Sequence, residues 1–589
     1  MEFRFNVGKD VRAVSRFNLI DEPWIAVTVD GRGSSRLVSL NDLFSHAEEY
    51  VDLAGDSRPQ DFAILRMLLA ILQTHFSRVD ESGRVYEELE VNNDQQVISD
   101  LDEDDKDDYL DNLYETWQRI WQSGRFPTTI LDYLSHWHDR FYLFDDKYPF
   151  YQVTKDVISK DKLNKKSATL ISGKNINRLI SESNNKLSLF SPKTTNYKAK
   201  LTEAEVARWL LTYQGYTGLA DKVIFGKEKY KKVSKGWLFD LGGIYLKGNN
   251  LFETLWLNCA LKHPNKKYQG NSAHPCWEVD SQSLIDKYLE FNSKGERGKV
   301  VTDLADLYTN WSRAIYMDPL IDLSQDFMFE VVKLPEIEHQ DNFLELMTLW
   351  RKNKKGPNKG YSTPRKHLPD QALWRSFGIL TGSYQKLDEP NSNYHPCPGI
   401  IAWMREIQED IDKAKIILQA TSMKYDNNPC SRNPVDEICD QLVLNEQLLT
   451  DNEGWSVYIT NCVEKTNRII TGTYRNFLLD IKTIRGQNSN AWVDQELEQI
   501  YFLVDRSFKV WIREIDPEKD SREEKAKIWF DSLQKLLNDQ VKRFVENATY
   551  RDCLGIKPKD NKNKKGDKVL NVFIVYNKFN YWLKQNLGK

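Results

Sequence analysis

The chain lacks the motifs of the common nucleotide-binding, hydrolytic and zinc-binding enzymes. It contains no GxxxxGKS/T phosphate loop, no GxGxxG turn after a strand, no HExxH and no GxSxG. Its seven cysteines include no CxxC pair, which is the spacing that zinc ribbons and redox motifs need. We therefore predict that the protein is not an enzyme, that it uses no cofactor or metal, and that its thiols are free.

Long apolar runs are missing as well. The most apolar segment, residues 62–72, is too short to cross a bilayer and contains Arg66. It predicts a buried helix that begins near Pro59. The start, MEFRFNVGKD, has no apolar core of the kind found in signal peptides. We expect a cytoplasmic protein that makes no membrane contact.

Length and composition predict a folded protein with more than one domain. The 589 residues exceed what one hydrophobic core holds, and 40% of them are hydrophobic. We predict the α+β class, with a mixed α/β domain over residues 1–372 and a C-terminal antiparallel helical bundle over residues 373–589. The predicted helices of the bundle cover residues 373–380, 399–419, 456–479, 491–514 and 522–548.

Local signals predict several elements of the first domain. Residues 24–29 and 36–40 flank a turn and predict a β-hairpin, which a helix over residues 41–50 follows. Thr202 and Glu205 have the spacing of a capping box and predict the start of a helix.

Positive charge is concentrated in a few segments, although the formal net charge of the chain is −4. Residues 155–200 hold eleven Lys or Arg against three Asp or Glu, and residues 222–235 are a second basic segment. Residues 351–366 hold seven Lys or Arg and no acidic residue, and their Gly and Pro predict a loop or hairpin tip. Such clustering is typical of nucleic-acid contact, although a solvated surface loop has the same composition.

Five stretches have a further similarity. They are residues 17–27 (FNLIDEPWIAV) with 38–44 (VSLNDLF), residues 148–153 (YPFYQV), residues 184–190 (NNKLSLF) with 201–211 (LTEAEVARWLL), residues 248–258 (GNNLFETLWLN) and residues 373–378 (LWRSFG). In this order they resemble the CasA family, the large subunit of the type I-E CRISPR surveillance complex Cascade. The C-terminal part resembles the family only in its helical character and length.

The resemblance implies a non-catalytic role in RNA-guided DNA recognition. A subunit of this family lies near the 5′ end of the guide RNA, inspects duplex DNA for a short adjacent motif from the minor-groove side, and helps to separate the strands. The implied partners are the CRISPR guide RNA, double-stranded target DNA, the backbone and small subunits of Cascade, and the helicase-nuclease effector. In such a complex the guide reads the sequence, while the protein reads the adjacent motif and holds the backbone.

The resemblance also implies candidate nucleic-acid-binding residues. The loop at the guide's 5′ end is expected to contain Asn184, Asn185, Leu187 and Phe190. The family's glycine loop, which lets the backbone approach the minor groove closely, is expected to contain Gly218, Ala220, Asp221 and Lys222. A lysine finger is expected at Lys333, with the segment of Arg351, Lys352, Lys354 and Lys355 as its rival. The wedge that opens the first base pairs is expected among Gln385, Lys386, Asn391 and Asn393. This chain departs from the family's glycine loop, because residues 218–222 (GLADK) contain only one glycine.

Lys165, Lys166 and Lys174 are candidate phosphate contacts in the basic stretch itself, since phosphate contacts position a protein without reading sequence. Two alternatives stay open. One is a metal-dependent nuclease that uses His138 and Asp139, although the dipeptide has no second ligand cluster behind it. The other is an interaction scaffold whose lysine loops only increase solubility.

Overall fold

The computed structural model describes residues 17–182, 191–218, 222–227, 230, 235–290, 299–382, 396–411, 415–426, 433–450, 454–557 and 569–588. The chain divides into two compact units. The first unit consists of Met1–Pro369, Ala402–Glu406 and Gln419–Cys439. The second unit consists of Asp370–Ile401, Ile407–Leu418 and Asp440–Lys589.

Helices and short strands are interspersed in the first unit, and helices dominate the second, so the predicted α+β class is confirmed. The helices are α1 Leu40–Ser45, α2 Arg58–Phe76, α3 Lys106–Ser123, α4 Thr129–His136, α5 Glu203–Tyr216, α6 Leu251–Leu257, α7 Ser281–Tyr288, α8 Leu304–Tyr308, α9 Phe377–Leu380, α10 Gly399–Glu406, α11 Gln447–Thr450, α12 Trp455–Arg468, α13 Arg475–Arg485, α14 Ala491–Arg513, α15 Arg522–Glu546, α16 Tyr550–Leu554 and α17 Val572–Leu587. The strands are β1 Ile25–Thr28, β2 Ser35–Val38, β3 Asp52–Leu53, β4 Thr169–Ser172, β5 Gly243–Lys247, β6 Arg313–Tyr316, β7 Met328–Lys333, β8 Trp350–Lys352, β9 Ser362–Pro364, β10 Lys415–Tyr425 and β11 Pro434–Asn445.

The strands form small sheets with the orders β2-β1-β3, β11-β10-β5, β4-β7-β6 and β8-β9. In the first of these, β1 and β2 are antiparallel, with Ile25 opposite Val38, and the predicted N-terminal hairpin is confirmed. In the third, β7 pairs antiparallel with both β4 and β6. This sheet carries Lys333 at the end of β7.

The predicted helix over residues 399–419 is wrong in its second half. Helix α10 ends at Glu406, and residues from Lys415 onward form strand β10. Ile416, Leu418 and Ala420 are buried, whereas the residues between them are less so. This period of two is typical of a strand, and the isoleucines of the segment favour one.

A cluster of aromatic side chains lies in the core of the second unit. The ring of Trp374 stacks on Phe508 of α14, with centroids 4.3 Å apart, and Phe508 meets Trp529 of α15 edge to face at 4.9 Å. Trp529 also donates a hydrogen bond of 2.8 Å to Thr466 of α12. The helices predicted over residues 491–514 and 522–548 are therefore present and packed together.

Helix α2 is the centre of the first unit, and it holds a buried ion pair. The guanidinium of Arg66 donates two hydrogen bonds of 2.8 Å to the two carboxylate oxygens of Glu345. Trp237 donates a third hydrogen bond, of 2.5 Å, to the same carboxylate. Such bidentate, charge-assisted bonding offsets the cost of removing both charges from water. No helix in the described part of the chain, α2 included, is long and apolar enough to cross a membrane.

We predict that Glu345→Ala destabilises the first unit by about 3–5 kcal/mol, because it leaves the buried guanidinium of Arg66 without a counter-charge. Calorimetric unfolding of the full chain measures this effect. Glu103→Ala is the control, since the Glu103 carboxylate pairs with Lys106 in water and is 85% exposed. Equal loss of stability in the two variants would contradict a central role for the buried pair.

Candidate nucleic-acid interface

Helix α5 leads into the predicted glycine loop and is fixed at both ends. At its start, Thr202 Oγ1 accepts a hydrogen bond from Glu205 N, and Glu205 Oε2 accepts one from Thr202 N, so the predicted capping box is confirmed. Near its end, the side chain of Gln214 accepts hydrogen bonds from the backbone N–H of Ser312 and Arg313 and donates one to the carbonyl of Arg313. The last turn of α5 is therefore fixed to strand β6.

The first two basic segments and Lys333 meet through backbone hydrogen bonds. Asn164 N donates to the carbonyl of Ile224 at 3.0 Å, and Ile224 N donates to Asn164 Oδ1 at the same distance. Lys333 N donates to the carbonyl of Val223 at 3.0 Å. Residues 164, 223–224 and 333 are thus neighbours in space, although they are far apart in the sequence.

These segments carry a set of lysines that we call the basic edge. It consists of Lys165, Lys166, Lys222 and Lys333. The first three are exposed, and Lys333 is half-buried at the end of β7. Lys174 is exposed too but lies away from this edge, because Ser172 pairs with Met328 at the other end of β7. Within the described residues, the side chains of Lys165, Lys166 and Lys222 form neither an ion pair nor a hydrogen bond. Their charges are therefore available to a polyanion.

Other lysines of residues 155–200 have structural roles, so this stretch is not one uniform basic loop. The side chain of Lys198 is buried and pairs with Glu182 at 2.8 Å. Burial lowers the pKa of this lysine, and the Glu182 carboxylate offsets only part of that effect. The further pairs are Lys193 with Glu205 and Lys155 with Glu330. The excess of eight positive charges in this stretch thus overstates what is free to bind a ligand.

The third basic segment, for which a loop or hairpin tip was predicted, forms a hairpin. Strands β8 and β9 are antiparallel, with Arg351 opposite Thr363 and Lys352 opposite Ser362. Gly356 and Gly360 have φ angles of 80° and 88° at the tip, which favour glycine. The exposed cations of this hairpin are Arg351, Lys352, Lys354, Lys355 and Lys359.

Gly218 is buried at the end of α5, against an aromatic pair. A Cβ atom at this position would lie 2.4 Å from the ring of Phe239, so only glycine fits without a shift. Phe239 stacks on Tyr425 with ring centroids 4.0 Å apart, and Tyr425 donates a hydrogen bond to the carbonyl of Tyr216. The glycine is thus required for packing, and its predicted approach to a DNA groove stays a prediction.

Two further lysines lie on this aromatic pair. Lys366 Nζ lies 4.1 Å from the ring centroid of Phe239 and 4.8 Å from that of Tyr425, and Lys235 Nζ lies 5.1 Å from Phe239. Both ammonium groups face Asp240, at 2.8 Å from Lys235 and 3.7 Å from Lys366. Burial alone would raise the pKa of the Asp240 carboxyl, but the two lysine charges hold it below its ordinary value.

Lys235 and Lys366 were not predicted from the sequence as part of this site. Both lie within basic segments, but composition does not tell which lysines turn toward an aromatic ring. The cluster WLFD at residues 237–240 follows a basic segment directly. Such neighbouring aromatic and acidic residues are a signal that could have indicated an internal contact.

Several predicted residues lie outside the described part of the chain. These are Asn184, Asn185, Leu187 and Phe190 of the guide loop, Ala220 and Asp221 of the glycine loop, and Gln385, Lys386, Asn391 and Asn393 of the wedge. Their predicted roles stay predictions.

His138 of the nuclease hypothesis and the nearby His136 have separate partners. His138 Nε2 lies 2.7 Å from Asp21 Oδ2, and His136 Nε2 lies 3.3 Å from Asp94 Oδ1. Asp139 is 90% exposed and 3.9 Å from His138. Among the described residues, no group of three or more His, Cys, Asp or Glu side chains has the arrangement of a metal site. The geometry there gives the hypothesis no support.

Comparison with known proteins points to one family. A family model described as CRISPR-associated protein Cse1 matches residues 18–540. The protein CasA/Cse1 of Thermus thermophilus is 30% identical over 279 residues, which cover 46% of this chain and 44% of that protein. The alignment thus spans less than half of this curated relative.

Solved structures share the fold. The crystal structure of Thermobifida fusca Cse1 superposes with a TM-score of 0.74 at 21% identity, over 97% of this chain and 98% of that chain. A chain of a CRISPR RNA-guided surveillance complex gives a TM-score of 0.60 at 15% identity, over 96% and 99% of the two chains. The family match and these structures confirm the resemblance drawn from the sequence.

We predict that Gly218→Ala destabilises the first unit by about 1–3 kcal/mol, because the added methyl group overpacks the ring of Phe239. Thermal unfolding measures the loss, and Phe239→Leu in the same chain is expected to recover part of it. Gly31→Ala is the control, since a Cβ there meets no atom within 4 Å. Equal stability of the Gly218 and Gly31 variants would contradict the packing argument.

Proposed function

Because this chain belongs to the CRISPR-associated protein Cse1 family, we propose that it is the large, non-catalytic subunit of a type I-E RNA-guided CRISPR surveillance complex in the cytoplasm. Its proposed partners are the guide RNA, the backbone and small subunits, double-stranded target DNA and the helicase-nuclease effector. Its proposed tasks are recognition of the adjacent motif, promotion of strand separation and recruitment of that effector. The fold that it shares with a chain of such a complex supports this assignment.

The observation that carries the DNA-binding part of the proposal is the basic edge. Backbone bonds gather cations from three distant segments, and Lys165, Lys166 and Lys222 have no counter-charge among the described residues. Unpaired lysines on a surface attract phosphates, and each contact releases counterions. A complex that inspects many DNA sites must bind each of them weakly and leave again. Salt-sensitive phosphate contacts allow such binding.

The proposal divides the site into two roles. Lys165, Lys166 and Lys174 hold the DNA backbone, whereas the segment from Gly218 to Lys222 contacts the groove and reads the adjacent motif. The backbone bond between Val223 and Lys333 supports the second role, since it holds the proposed lysine finger beside that segment. The hairpin with Arg351 is the alternative finger.

Target-duplex binding by the guide-loaded complex tests the function. The complex is assembled with and without this chain and offered DNA with and without the adjacent motif. We expect that only the complete complex distinguishes motif-bearing DNA and opens it. If the chain makes no difference, the proposed function is wrong.

Reversal of the backbone-holding charges is expected to weaken binding to all DNA sequences alike. In the assembled complex, K165E/K166E should lower affinity and reduce the slope of log K against log salt by about 0.9 for each phosphate that the variant no longer neutralises. Adding K174E should extend both effects. The matched control is K266E/K267E, two adjacent exposed lysines elsewhere in the first unit. Equal reductions in affinity in the two double variants would refute a local role.

Lys222→Ala is expected to change which adjacent motifs are tolerated, because groove contacts specify sequence while phosphate contacts do not. The side chain of Lys222 is exposed, so its removal leaves the packing at Gly218 intact. Binding is measured on a panel of duplexes that differ only in the motif. A decrease in affinity that is uniform across the panel, like that of K165E/K166E, would show that the two roles are not separate.

A further inference from the structure

The second unit contains a groove between two antiparallel helical walls. One wall is the continuous helix of α12, a π-helical turn Ile469–Tyr474 and α13, and the other is α17. The cavity has a volume of about 500 Å³. Its polar lining consists of Lys465, Arg468, Thr473, Asn476, Asp480, Lys578 and Asn586, with Trp582 beside them.

Hydrogen bonds hold the two walls in place. Asn586 of α17 donates to Thr473 Oγ1 at 2.9 Å, and Lys578 pairs with Asp480 at 2.6 Å. Lys465 donates to the carbonyl of Leu587 at 3.0 Å. These bonds span the length of the groove, so its shape is formed before any ligand arrives.

The π-helical turn opens the wall at Gly472. A Cβ at this glycine would meet no atom within 4 Å, so the space in front of it is empty of protein. Residues 468, 472 and 476 follow at intervals of four along this wall. π-helical turns are rare and are often found at functional sites.

The groove combines free positive charge with an exposed aromatic ring. Arg468 is exposed, and its side chain forms no ion pair or hydrogen bond with the described residues. The acidic residue of the lining, Asp480, is already paired with Lys578. Trp582 lies one turn from both Lys578 and Asn586 on α17 and is 50% exposed. An arginine without a counter-charge and a half-exposed indole therefore line the same groove.

We propose that this groove binds single-stranded nucleic acid, with a base stacked on Trp582 and a neighbouring phosphate on Arg468. Stacking on an aromatic side chain and a phosphate contact to a cation are the two interactions by which such strands are bound without sequence preference. The side-chain amide of Asn476 adds a hydrogen-bonding group for base edges. An acidic peptide would use the cations, but it could cover the indole face only with an additional aromatic or proline residue.

The groove lies in the second unit, so this proposal is independent of the basic edge and of the function proposed above. It is tested in the full chain carrying K165E/K166E, which reduces binding by the first unit. A fluorescein-labelled oligothymidine of about 20 nucleotides, a length beyond the roughly 4–16 nucleotides of common single-strand sites, is titrated and followed by anisotropy at low salt.

Trp582→Ala is expected to weaken binding of the oligothymidine by about 5- to 150-fold, the range that base–aromatic stacking gives. Arg468→Glu should weaken it and reduce the salt slope by about 0.7, the value for one phosphate of a single strand. The matched controls are Phe502→Ala, a 78% exposed aromatic of α14, and Arg513→Glu, an exposed arginine at the end of the same helix. Control variants that bind as weakly as the groove variants would overturn the proposal.

Gly472→Met tests the groove itself, because the new side chain fills the open space while the fold, followed by circular dichroism, should be retained. Photo-crosslinking to an oligonucleotide with 5-iodouracil is expected to label the tryptic peptide of residues 579–584, which contains Trp582. A Gly472→Met variant that folds and binds normally would overturn the proposal. So would binding of thymidine monophosphate, or of an acidic peptide, as tightly as the oligonucleotide.

Discussion

The buried ion pair between Arg66 and Glu345 is the interaction on which the first unit depends. The Glu345 carboxylate receives two hydrogen bonds from Arg66 of α2 and one from Trp237, so it joins the central helix to the turn at residues 237–240. That turn carries Phe239, against which Gly218 packs. It also carries Asp240, with which Lys235 and Lys366 form ion pairs. The packing of Gly218 is therefore linked to an ion pair in the core. Well-packed apolar residues of the same volume often stabilise a protein more than a buried ion pair does, but a pair of this kind accepts few alternative arrangements.

Some lysines of the first unit are paired with a carboxylate, and others have no counter-charge among the described residues. Lys198 is paired and buried, and Lys366 is held between Asp240 and two aromatic rings. Lys165 and Lys166 have no such partner among the described residues and extend into solvent. A paired lysine must give up its carboxylate before it binds phosphate, whereas an unpaired one loses only water and counterions. Phosphate affinity should therefore reside mainly in the unpaired group.

Sequence patterns correctly predicted the elements that depend on interactions between neighbours in the chain. The capping box at Thr202 and the hairpin at residues 351–366 need only neighbours in the chain, and both were predicted correctly. The joining of residue 164 to residue 224, and of residue 223 to residue 333, depends on backbone bonds between distant segments, which no local pattern reports. Strand β10 was missed because Ile407, Ile411 and Leu418 continue the spacing of a helix, which hides the period of two over residues 416–420.

Gly218 has a packing role in addition to the DNA contact that the resemblance to the family implies. The resemblance assigns its glycine to close approach of the backbone to DNA, whereas the structure gives it a second reason, since any Cβ would overlap Phe239. Phe239 in turn stacks on Tyr425, which bonds to the last turn of α5. A substitution here would therefore disturb the packing of Gly218 against Phe239, whether or not it changed a contact with DNA. A change in motif preference after Gly218→Ala alone would not identify a groove contact, while the exposed Lys222 can report one without disturbing the packing.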